Sequence, residues 1–293
     1  MFAAGEQITL ATDHGQRLVF TIERPFTPFT KSVAVLARCA ELSSTPVVVK
    51  IFDPRFLDER LPMRYRRARP WSLKAERAAL DIHAYDENEV LEDEPAEDDV
   101  GGQAARAALF EAHFRRLSTK CFASERDAYA RQHGLQGNTL PRLLAIGQVV
   151  PPDERAFYRR SCLVQSLRPP ALVLEYVEGS TFDDTPLEAF TPDVCTKLVH
   201  TADSFAKFGV SHNDVNVNNV LIAPGRVVFI DFGCAALRQP DQDDESWSHN
   251  VRYGSDGRRM RIYLREKGVT GMDELLQISG SYTVSRRRED IAT

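Results

Sequence analysis

Val210 to Gly233 reads VSHNDVNVNNVLIAPGRVVFIDFG. Two short apolar runs, Val220–Ala223 and Val227–Ile230, flank Pro224-Gly225 and read as the strands of a tight hairpin. Asp214 and Asn219 precede the first strand, and Asp231 leaves the second. The run VVFI is apolar on both faces, so it belongs in an interior. An acid at its exit, followed two residues later by glycine, puts a carboxylate at the lip of a cleft. Magnesium takes hard oxygen ligands, usually one or two carboxylates completed by phosphates and water. Asp231 fits as the main metal ligand. Asn219 adds a neutral oxygen that does not repel a triphosphate. Asp214 is placed to orient an alcohol and accept its proton. His212 reads as a brace for the loop backbone. An isolated Asp-Phe-Gly more often just caps a turn; the residues before it give it weight.

Working outward, Arg17–Glu23, Ser32–Cys39 and Pro46–Phe52 are rich in Val, Ile and Phe and read as consecutive strands, with Gln7–Leu10 as an extra strand ahead of them. Lys50 lies inside VVVKIF, where an amine is costly unless its charge meets a partner, though a snorkelling edge-strand lysine is the alternative. Trp71–Asp81 predicts a helix. Glu87–Gly102 is acidic, carries Pro95 and reads as flexible. Ala104–Gln132 has apolar residues at helical spacing, in one long helix or two short ones, with Gly134 placed to end it. Leu143–Val150 and Ala171–Val177 read as strands. Asp193–Phe208 reads as a helix stopped by Gly209, and Arg258–Lys267 as another.

The segment HNDVNVNN, followed by IDFG, resembles the catalytic core of the protein-kinase-like superfamily. In detail it resembles the short atypical kinase-like proteins of fungi. The resemblance covers roughly residues 17–233. It implies an α+β bilobal fold, with a small β-rich first lobe and a truncated, mostly helical second one. The divisions would be residues 1–178, with an insertion over about 53–103, and residues 179–293. It further implies ATP and Mg²⁺ as cofactors. Asp214 would be the catalytic base, with Asn219 and Asp231 on the metal. Lys50 would hold the α- and β-phosphates and pair with a helix glutamate. Glu125 is the better candidate for that glutamate and Glu111 its competitor. ALVLEYVEGSTF, from Ala171 to Phe182, resembles the adenine-binding hinge. Glu175 and Val177 would supply backbone groups, and Leu174 would gate the pocket.

Three departures from the family pattern matter. The turn Pro25–Ser32 has no glycine, so backbone amides cannot crowd against phosphates as they do in glycine loops. Thr27, Thr30, Lys31 and Ser32 would have to substitute. Asn213 stands where the family commonly has arginine, and Asn216 where its serine/threonine kinases commonly have lysine. Only 60 residues follow Gly233 (293 − 233), and no Ala-Pro-Glu occurs among them. The implied function is transfer of the γ-phosphate of ATP to a hydroxyl. A protein serine or threonine is the first reading, a small-molecule alcohol the next. A nucleotide-binding scaffold without turnover is the alternative from another class.

The formal net charge of -5 gives no reason to expect a nucleic-acid partner. Arg64, Arg66, Arg67 and Arg69 form a basic run that reads as solvated loop. The five cysteines, Cys39, Cys121, Cys162, Cys195 and Cys234, form no CxxC pair. They point to a reducing compartment, with Cys234 read as a small packed residue. No apolar run is long enough to span a bilayer. The expected protein is soluble and cytoplasmic.

Overall fold

The structure, a computed structural model, describes residues 2–62, 64, 67–91, 95–96, 98–151 and 165–277. Six strands build the main sheet: β1 (Gln7–Thr12), β2 (Arg17–Pro25), β3 (Val33–Arg38), β4 (Val47–Ile51), β5 (Leu143–Val150) and β6 (Pro170–Glu175). They close into an antiparallel barrel in the order β1-β2-β3-β4-β6-β5. Alternation places the side chains. In β2, Leu18, Phe20 and Ile22 point inward, while Arg17, Val19 and Thr21 face out. In β4, Val47, Val49 and Ile51 fill the barrel, each contributing about 1.5–3 kcal/mol by burial. Lys50 alternates with them onto the outer face.

This closed barrel overturns the expected bilobal kinase-like fold. The strands were legible in the sequence, but the closure was not. It depends on β1 pairing with β5 as well as with β2, through Thr9↔Val150, Leu10↔Val149, Ala11↔Gln148 and Thr12↔Gly147. Gly147 permits that approach, since a Cβ there would stand 2.4 Å from the Ala11 carbonyl oxygen. Gly147→Val is therefore expected to open the β1–β5 seam. Loss of slow amide exchange in β1, with β3 and β4 still protected, is the measurement.

Outside the barrel the helices pack around a second apolar core, distinct from the one inside the barrel. One apolar cluster joins Phe52, Leu172 and Leu174 of the barrel's outer face to the rest. It includes Cys121 and Tyr129 of α2 (Val100–Arg131), Leu198 and Val199 of α3 (Pro192–Ser204), and Phe229 and Phe232. The shorter helices are α1 (Leu73–Ala78), α4 (Asp244–Gly254), α5 (Asp256–Glu266) and α6 (Asp273–Leu276). β7 (Ser180–Thr181) precedes α3, and between α3 and α4 lie β8 (Val210–Ser211), β9 (Val220–Ala223), β10 (Arg226–Phe229) and β11 (Ala236–Leu237). β9 and β10 form the expected hairpin, and β8 pairs with β11.

Two local expectations change. Gly101 and Gly102 do not sit in a loop; they open α2, where Asp99 caps the Gly102 N–H at 2.8 Å. A Cβ on Gly102 would collide with that carboxylate at 2.1 Å. The acidic stretch before it is not loose where it is described. Glu87–Leu91 forms a 3-10 turn, and the guanidinium of Arg106 bonds the Glu89 carbonyl and, at 3.0 Å, the Val90 carbonyl. Arg66 and Cys162 lie outside the described residues.

Candidate active site

β4 delivers Lys50 to the barrel's outer face, and α2 lies across that face. Lys50 Nζ donates to Glu125 Oε2 at 2.5 Å and to Asp231 Oδ1 at 2.7 Å. The lysine side chain is 8% exposed, Glu125 0% and Asp231 34%. One ammonium thus bridges a sealed carboxylate and one that opens outward. Glu111, the competing glutamate, does not approach Lys50; it pairs with Arg60.

Asp231 follows β10 in the left-handed region (φ 66, ψ 70), which Asp tolerates better than most side chains. The bend turns its carboxylate back toward Lys50 while Phe232 enters the core against Tyr129, Phe205 and His212. The Ile230 N–H donates to the Asn219 carbonyl at 3.0 Å. Asn219 therefore lies beside the residue that precedes Asp231. Asn219 Nδ2 donates to Asp214 Oδ2 at 3.0 Å, which leaves its amide oxygen facing elsewhere. His212 is fully buried. Its Nδ1 accepts from the Asp214 N–H at 3.3 Å, so Nε2 carries the proton and donates to the Ile230 carbonyl at 3.0 Å. His212 thereby ties the Asp214 loop to the strand that bears Asp231.

The electrostatics follow from burial and these contacts. Burial opposes the charge on Lys50, but Asp231 and Glu125 outweigh it and lift its pKa above the ordinary value. Burial likewise works against ionised Asp231, yet Lys50 prevails and holds its pKa below normal. For Glu125 burial wins and pushes the pKa up to about 7, with Lys50 opposing and Asp231 adding.

The other anticipated positions divide. Leu174 and Val177 are buried. Among the described residues, the Val177 N–H and C=O take no backbone partner. The Glu175 side chain pairs with Arg226 at 2.6 Å, and a cavity of about 560 Å³ is lined by Glu175, Tyr176 and Glu178 but not by Leu174, Val177, Lys50 or Asp231. The Pro25–Ser32 turn is held away from a free-loop role. Lys31 Nζ is paired with Asp58 at 3.1 Å and with Glu59, and the Thr30 carbonyl accepts from the Asp58 N–H. Ser32 is buried. Asn216 does not stand in for a lysine; its amide oxygen accepts from the Asn218 N–H at 2.9 Å and the Asn219 N–H at 3.2 Å, rounding the loop. Cys234 is exposed, not packed.

No protein-family model matches the chain, and no curated protein matches it.

Two residues that support this site gave no sequence signal. Asp256, at the start of α5, is buried, and its carboxylate accepts from the backbone N–H of His212 at 2.7 Å and of Asn213 at 3.0 Å. Arg131, at the end of α2, donates to the Gly209 and Arg238 carbonyls at 2.8 and 2.9 Å. It clamps the β8–β11 pair. An acid in a first helical turn and a base in a last one are ordinary helix-end features, so neither stands out in a sequence.

Asp231 and Asn219 carry oxygen donors on neighbouring stretches of backbone, joined by the bond from the Ile230 N–H to the Asn219 carbonyl. Among the described residues, no group of three or more His, Cys, Asp or Glu could hold a metal by protein ligands alone.

Proposed function

We propose that this chain is an ATP- and Mg²⁺-dependent phosphotransferase acting on a hydroxyl. The observation that carries this reading is the Lys50 ammonium bridging Glu125 and Asp231, beside the bonded Asp214–Asn219 pair. The resemblance of HNDVNVNN…IDFG to protein-kinase-like enzymes supports it.

In this reading Asp231 and Asn219 hold the metal, which when bound would neutralise phosphate charge. Lys50 holds phosphate oxygens, and Glu125 fixes the direction of the ammonium. Asp214 orients the acceptor hydroxyl and takes its proton. Asn219, donating to Asp214 Oδ2, sets the rotamer of that base. Leu174, Glu175 and Val177 bind the adenine, Val177 through the backbone groups noted above. A protein serine or threonine is the first acceptor to test and a small-molecule alcohol the second. The four described cysteines are free, which suits the cytoplasmic setting we propose. Among the described residues no helix is long and apolar enough to cross a membrane.

One observation favours a second reading, a nucleotide-binding scaffold. Lys31 is engaged by Asp58 and Glu59, so the glycine-free turn brings no unpaired cation to phosphates. The test is ATP turnover with Mg²⁺ over a panel of peptides and small alcohols. Turnover lost in Asp214→Ala supports the enzyme. Nucleotide binding with no turnover across the panel selects the scaffold.

A pH dependence follows. Glu125 must be ionised to hold Lys50, and its pKa in the free protein is about 7. Turnover at low ATP is expected to rise about tenfold from pH 6 to pH 8, as that carboxyl ionises. Stability takes the opposite sign. The folded pKa lies above the ordinary 4.5. Glu125's contribution to folding is thus complete below pH 4.5 and lost as pH rises through about 7. Glu125→Gln should flatten the kinetic limb; an unchanged limb assigns it to another group.

A further inference from the structure

The eleven residues from Lys50 to Arg60 run along α2 and bond to it at three places. Lys50 meets Glu125 at 2.5 Å. Ser118 Oγ donates to the Phe52 carbonyl at 2.8 Å. Arg60 meets Glu111 through two parallel bonds, of 2.9 and 2.6 Å. The α2 partners are residues 111, 118 and 125, seven apart, which puts them on one face. From Glu111 to Glu125 the seam is about 21 Å long.

The far end of this seam is built to be rigid. Arg60 and Glu111 are both buried. The Arg60 guanidinium also bonds the Pro54 and Arg69 carbonyls at 2.5 and 3.1 Å and lies 4.2 Å over the Phe114 ring. Leu57 packs with Phe110 and Phe114. Between the ends, the Phe52 ring meets Phe122 edge-on. A one-residue slip of α2 would break all three ties together. A fork-shaped guanidinium–carboxylate pair tolerates little displacement, so it acts as a register mark.

We propose that Arg60 and Glu111 are positioning residues for phosphoryl transfer: they fix α2 lengthwise and so hold Glu125 on Lys50. This rests on the phosphotransferase reading. In consequence the site is assembled by the fold itself and needs no covalent modification to bring Glu125 into place.

The experiment uses the full chain and the double variant Arg60→Met/Glu111→Leu. Removing one partner alone would strand a buried charge, whereas replacing both with apolar residues of similar volume commonly preserves folding. Two readouts are taken. The first is steady-state turnover with MgATP across pH. The second is iodoacetamide labelling of Cys121, resolved by mass spectrometry with buried Cys39 as internal reference. Cys121 reports on α2 because it is buried against Gly233. A Cβ on Gly233 would lie 3.7 Å from Cys121 Cβ and 3.6 Å from Glu125 Oε2.

The expected result has three parts. Cys121 labelling becomes at least about tenfold faster. The kcat falls about tenfold or more with little change in the KM for ATP. The rising pH limb moves to higher pH, because Glu125 loses the cation that favours its ionised form. A merely structural pair would not move that limb. Unchanged Cys121 protection in the folded double variant overturns the proposal. So does faster labelling with wild-type kcat. A wild-type protein without turnover sinks the phosphotransferase reading and the positioning role with it, and the labelling arm then shows separately whether the seam holds α2. Should the double variant not fold, Ser118→Ala removes one hydroxyl from the same seam. It is expected to raise labelling and lower kcat about threefold, and wild-type values for both would overturn the idea.

Discussion

Lys50→Met is expected to lower phosphoryl transfer about a hundred- to a thousandfold while the protein stays folded. On the phosphotransferase reading proposed above, the loss would be that of one preorganised charge directed at the phosphate oxygens in a water-poor setting. The fold should survive because Glu125 has a way out. Deprived of its cation, a carboxyl fully shielded from solvent takes up a proton, and its pKa is already pushed up to about 7. Thermal melts of the variant should therefore match the wild type best at pH 6 and fall behind at pH 8. Asp231→Ala, which leaves the Lys50–Glu125 pair in place, should show the same kinetic loss without that pH-dependent deficit. Turnover near the wild-type rate in both variants would place the chemistry elsewhere on the molecule.

Asp256→Ala is expected to cost about 3 kcal/mol and most of the activity. The carboxylate accepts the His212 and Asn213 N–H groups at 2.7 and 3.0 Å and the Ser211 hydroxyl at 3.3 Å. Bonds to a charged acceptor are worth about 1.5–3 kcal/mol each, and a buried N–H left unpaired costs about 1–3. The losses overlap, which is why the figure lies below their sum. Asn213 has φ 61, a conformation a non-glycine residue keeps only when its surroundings impose it. Released from Asp256, the loop should relax and carry Asp214 off its bond with Asn219. A drop in melting temperature of roughly 5–10 °C, with kcat falling further than for Asp256→Asn, is the expected pattern. An Ala variant with wild-type melting and turnover would mean the loop holds itself.

Much of the site was readable because its residues announce themselves chemically. Lys50 is a cation in an apolar strand, and Asp231 an acid at the end of one. Glu125 was separable from Glu111 only weakly by spacing, and the structure gives the reason for the ambiguity. Both glutamates are buried on the same face of α2, each with its own cation from the same stretch of chain. Arg60 carries no such signal, because the basic run that stands out in the sequence begins only at Arg64. Barrel closure was invisible for a different reason. The pairing of Leu10 with Val149 spans most of the first half of the chain, and local periodicity says nothing about which distant strands meet. The turn at Pro25–Ser32 reads as a glycine-free departure whose side chains would have to substitute in holding phosphates. Its lysine instead meets Asp58 and Glu59, acids in a segment that sequence alone treated as insertion.

The ring made by β1 joining β5 has a bearing on life at high concentration. A strand whose main-chain groups are all engaged gives neighbouring molecules no selvedge to stitch onto. In the six-stranded sheet that selvedge is consumed by the molecule itself, so mutual templating between copies of this chain has nowhere in the barrel to begin.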